Sequence, residues 1–154
     1  MNNKTQKQQA ILEELRYEVW MFNRTADFLV HTTSFDKVQT NAFVESFLMH
    51  TRNLVDFLEN KTNKNDARCS DFGIKEQQIK LPAGNTKREI NKYLAHMTKQ
   101  RIEKKSPDWK FNEIRNEINQ KIQNFLYLLP DEIKVCRDKI FAKDLFTIPP
   151  TTIT

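Results

Sequence analysis

From Asn41 to Glu59 apolar residues return every three or four positions. Phe43, Phe47, Leu54, Phe57 and Leu58 gather on one side at 100° per residue, flanked by Val44, Leu48 and Val55, with Glu45, Arg52, Asp56 and Glu59 opposite. This period predicts a helix, and its wide apolar arc suits contact with several neighbours, so it reads as the central helix. His50 falls inside the arc. Asp36 and Gln39, just upstream, have capping-box spacing, which starts the helix at Asp36; it ends around Asn60.

A first helix is predicted from about Thr5, where Thr5 and Gln8 also match a capping box, to about Val30. Its core stripe is Ile11, Leu12, Leu15, Val19, Phe22, Ala26, Leu29 and Val30, and a second stripe holds Tyr17, Met21 and Phe28 with Arg24 between them. A helix apolar on two faces is either covered by a later segment or meets another molecule. A homodimer through Tyr17, Met21 and Phe28 is therefore the expected assembly.

Residues 60–84 lack sustained periodicity. A loop of that length in a compact domain is uncommon and is either functional or disordered; Gly73 to Leu81 could hold a short strand or a turn. Thr86 and Glu89 form a third capping box, opening a helix to about Glu103. Ile90, Tyr93, Leu94 and Met97 make its inner face, His96 lies at the border, and Lys92, Lys99 and Lys104 point outward. Ser106-Pro107 reads as a stop and restart. The fourth helix then carries Phe111, Ile114, Ile118, Ile122, Phe125 and Leu129 up to Pro130, with Trp109 and Tyr127 off the stripe. Ile133, Cys136 and Ile140 suggest a short fifth helix, and the end, IPPTTIT, is extended by its prolines. The pattern predicts an all-α fold: an antiparallel four-helix bundle with a short fifth C-terminal helix, in one domain over 1–146 with a tail over 147–154.

Composition narrows the function classes. The chain has 154 residues with only two Gly and five Pro, which favours long helices and leaves no glycine-rich phosphate cradle. GxGxxG, Walker-type, GxSxG, HExxH and DxDxDG motifs are all missing. No stretch approaches a membrane span, and the polar start MNNKTQKQQ is no signal peptide. Cys69 and Cys136 lie outside any metal or redox spacing, so they read as reduced thiols in a cytoplasmic protein. The net charge of +5 is concentrated in the middle, where residues 60–105 hold 12 Lys/Arg against 5 Asp/Glu. That basic region could meet RNA, although no aromatic interleaving for base stacking accompanies it.

The polar residues worth weighing are His50, Arg52, Asn53 and Asp56 on the central helix, and Asn91 and His96 on the third. Arg52 and Asp56, four apart, can pair on the polar face. His50 needs only one good hydrogen bond to be satisfied in a core. No spacing signals a metal, and no cofactor is expected.

FLMHTRNLVDFL at 47–58 and NKYLAHMTKQR at 91–101 resemble the paired signatures of a group of uncharacterised bacterial helical proteins. His50, Arg52, Asn53, Asp56, Asn91, Lys92, His96 and Thr98 match, and Asp71-Phe72 resembles the group's Asp-rich loop. The resemblance covers about residues 38–105 and implies an all-helical fold with no established activity. More distantly the chain is similar to HEPN domains, helical bundles that often dimerise and in many members cut RNA with an Arg-x(4–6)-His motif. Arg52-Asn53 resembles its opening, but positions 57–59 are Phe, Leu and Glu, and Arg88 to His96 is too long. The sequence thus reads as a non-catalytic, homodimeric interaction bundle. The alternative is a HEPN-like RNA-binding protein or metal-independent ribonuclease, with Arg52, His96 and His50 as its catalytic groups.

Overall fold

The computed structural model describes residues 3–61, 63, 65–95 and 107–141. Among them are five α-helices and no strand: α1 (Asn3–His31), α2 (Lys37–Leu58), α3 (Lys87–Ala95), α4 (Phe111–Tyr127) and α5 (Asp131–Ile140). No described helix is long and apolar enough to cross a membrane.

The α1–α2 hairpin is the frame. Phe28 meets Phe43 near the turn and Tyr17 meets His50 further along, so the two helices run antiparallel. α4 packs on both: Asp27 and Asn23 of α1 reach Arg115 and Asn119, while Phe47 and Phe57 of α2 reach Phe111 and Phe125. α4 is therefore antiparallel to α1 and parallel to α2. α3 lies against α2, and α5 against α1.

The apolar arcs meet where their period places them. Leu12, Val19, Phe22, Phe47, Leu48, Leu58, Ile114, Ile118, Ile122 and Phe125 have no exposed surface. Phe47 stacks on Phe22 with centroids 5.0 Å apart and takes Phe111 edge-on at 5.2 Å. At the other end Phe125 meets Phe57 and Phe72 edge-to-face. Phe111 is partly buried; each of the other five rings contributes about 1.5–3 kcal/mol by leaving water, so these two aromatic trios are principal fasteners.

Helix ends follow their chemistry in some places and depart in others. Asp36 and Gln39 form the predicted capping box, at 2.8 Å and 3.1 Å. The Glu89 carboxylate accepts the Thr86 amide and its hydroxyl, so the third box is realised only by half. Thr5–Gln8 caps nothing: α1 already runs at Asn3, and Gln8 is buried, donating to the Asp71 carbonyl at 2.9 Å. α4 begins at Phe111, not at Pro107. Trp109, with its ring edge-on to Tyr93, is buried ahead of it. The third helix is described only to Ala95, so its expected end near Glu103 and the residues His96, Met97 and Thr98 lie outside the described residues, as does the tail over 147–154.

The aperiodic stretch after α2 is ordered where it is described. Cys69–Phe72 forms a single 3-10 turn, with Cys69, Phe72 and Ile74 buried. Asn60, at φ 54, closes α2 in the left-handed region and accepts the Ser70 amide at 3.1 Å. The Gln77 side chain then donates to the Lys121 carbonyl and the Lys80 backbone amide to Glu117 Oε1, which straps the segment over α4. Gly73, at φ 74, closes the 3-10 turn in the left-handed region, and residues 74–81 form no strand. Periodicity missed this segment because each buried side chain is placed by its own turn.

Candidate functional site

The polar residues of α2 converge on α1. His50, only 4% exposed, places Nδ1 2.7 Å from Glu18 Oε2. A carboxylate only accepts, so the ring nitrogen donates. Asn53, one turn on, donates Nδ2 to both Glu18 oxygens at 3.3 and 3.2 Å. Tyr17 covers the imidazole edge-on at 5.9 Å. His50 is thus a satisfied, nearly buried histidine. Its partner Glu18 escaped the sequence reading, because it lies between the two apolar stripes of α1 and carries no motif.

Arg52 and Asp56 do not pair. Asp56 is taken by Lys87 of α3, which reaches it from across the helix interface, and no hydrogen bond or ion pair joins Arg52 to another described residue. The predicted i,i+4 pair loses to a cation already anchored by tertiary packing, while Arg52 faces an open cleft of about 670 Å³ between α1, α2 and the loop. Among the described residues, four carboxylates, Glu14, Glu18, Asp56 and Asp66, line that cleft beside the Arg52 guanidinium. A phosphate entering it would face more negative than positive charge, which opposes binding.

Asn91 is half-buried on α3, and no hydrogen bond joins it to the Glu18 cluster. His96 lies outside the described residues. Of the basic region, Lys61, Lys75, Lys80, Arg88 and Lys92 are exposed. Among the described residues no group of three His, Cys, Asp or Glu could hold a metal ion. Cys69 is no nucleophile in this state: burial pushes its thiol up from the ordinary value, against a smaller lowering by Asn60, and its Sγ lies 3.3 Å from the Leu58 carbonyl.

The second stripe of α1 divides. Phe28 is met by Phe35 and Phe43 at 6.0 and 4.9 Å, and Met21 is half-buried. Tyr17 remains 50% exposed and is joined by Trp20, 47% exposed, with centroids 6.5 Å apart. Trp20 lies about 60° from Tyr17 around the helix, so the pair occupies the outer flank of α1, with Tyr17 on the side toward His50 of α2. Comparison with protein-family models, with curated proteins and with solved structures finds no match.

Proposed function

We propose that this chain is a non-catalytic, antiparallel four-helix bundle that works through protein contacts in the cytoplasm and assembles as a homodimer on the outer face of α1. The observation that carries this reading is the half-exposed Tyr17–Trp20 pair on the outer flank of α1, beside the His50 ring that Tyr17 covers. Adjacent large aromatics with an open apolar body and a polar tip are the side chains most enriched at protein interfaces. Phe28, turned inward onto Phe35 and Phe43, supports the hairpin under this face and leaves Tyr17 with Trp20 as the contact.

Sedimentation velocity from about 1 to 100 µM tests it; a one-residue-deep aromatic face fits the small end of interface sizes, hence micromolar dimerisation. The expected result is a concentration-dependent dimer abolished by Tyr17→Ser with Trp20→Ser. A wild-type monomer across the range refutes it.

RNA binding is the second reading, and the exposed lysines and arginine of the 60–105 region favour it. The carboxylates around Arg52 stand against cleavage in the cleft. Electrophoretic RNA binding and cleavage with Arg52→Ala and His96→Ala, at low and moderate salt, decides between them. Loss of cleavage in either variant would replace the interaction module by an enzyme.

A further inference from the structure

We propose that the partner copy lies antiparallel along α1 in one register, with Tyr17 of each chain against Trp20 of the other and Glu13 against Arg24. This deepens the homodimer reading and rests on it. The four residues occupy one side of the helix within about 60° of each other, at steps of four, three and four residues. That spacing is palindromic. A two-fold axis crossing α1 between residues 18 and 19 therefore exchanges Tyr17 with Trp20 and Glu13 with Arg24, as a self-complementary interface requires.

The charges select the direction. In a parallel, in-register pair Glu13 would face Glu13 and Arg24 would face Arg24. The antiparallel pair puts a carboxylate opposite a guanidinium at both ends and also opposes the helix dipoles. Both charges are available. Glu13 is exposed and, among the described residues, accepts one hydrogen bond, from Gln9 Nε2 at 3.3 Å, and Arg24 lies over the Phe28 ring at 5.4 Å. Neither forms an ion pair with another described residue. The Phe28 ring, fixed by Phe35 and Phe43, gives Arg24 a platform on the outer face. From Glu13 to Arg24 the stripe spans about 17 Å, short enough for two straight helices crossing at about 20° to stay in contact.

Charge reversal tests the register. Each of Glu13→Arg and Arg24→Glu turns two attractive contacts per dimer into two repulsive ones and should weaken dimerisation about tenfold. The double variant restores both pairs with reversed polarity and should recover dimerisation to within about twofold of wild type. Oxidation of mixed Tyr17→Cys and Trp20→Cys chains, both in a Cys136→Ser background, should give chiefly the mixed covalent dimer. A double variant as weak as the two singles combined, or Tyr17→Cys chains that cross-link with themselves best, overturns the register while the dimer stands. A wild-type chain that stays monomeric overturns the dimer itself, and the register with it.

Discussion

Replacing His50 by Leu tests whether the Glu18 cluster holds the fold together. The substitution keeps an apolar side chain of similar bulk within the α1–α2 interface, so little packing is lost. What changes is Glu18, which loses the 2.7 Å bond to Nδ1 and keeps only the two longer contacts from Asn53. A hydrogen bond to a charged group such as the Glu18 carboxylate contributes about 1.5–3 kcal/mol. The Glu18 side chain is 25% exposed, so water and Asn53 recover part of that, and the expected loss is about 2 kcal/mol. With a urea slope of about 1–3 kcal/mol per molar, the midpoint should fall by about 1 M. Unfolding followed by far-ultraviolet circular dichroism reads it. Glu18→Leu in the same chain should recover about half of the loss, because removing both polar partners leaves no stranded carboxylate. The reasoning is refuted if His50→Leu is neutral, or if the second substitution adds its full cost.

Asn85 is 2% exposed and joins the start of α3 to the approach to α4, accepting the Lys110 amide at 2.7 Å and donating to the Asp108 carbonyl at 3.2 Å. Asn85→Ala strands both backbone groups and should lower the unfolding free energy by about 2 kcal/mol in urea melts. Phe125→Ala empties the junction of Phe57 and Phe72 and should cost about 3–5 kcal/mol by the same melts, whereas Tyr127→Ala, at a 76% exposed position, should change stability by under about 0.5 kcal/mol. A thiol reagent at neutral pH should modify Cys136 promptly and Cys69 only as the chain unfolds; equal rates would contradict the burial. Since the Cys69 thiol is raised in the folded chain, its contribution is complete below the ordinary thiol value of 9.0 and is lost as pH rises above it. Denaturant melts of Cys69→Ala should lack that alkaline decline.

By itself the sequence determined the helical class, the core stripes of α1, α2 and α4, the Asp36 cap and the short C-terminal helix α5, because periodicity and capping are local signals read within a few turns. It also placed His50 inside an apolar arc that needs one hydrogen bond. Only the tertiary structure decided which groups meet across elements. Glu18 supplies the His50 partner from 32 positions away, and Lys87 takes Asp56 from 31 positions away, leaving Arg52 unpaired among the described residues. The segment from Asn60 to Asn85 gave no period to read, since Cys69, Phe72 and Ile74 are each buried through separate turns and contacts. The outer face of α1 divided for the same reason. Phe28 and Tyr17 share one helical stripe, yet the turn into α2 brings Phe35 and Phe43 over Phe28 alone. Spacing puts residues on a common face, and the path of the rest of the chain determines which of them remain in water.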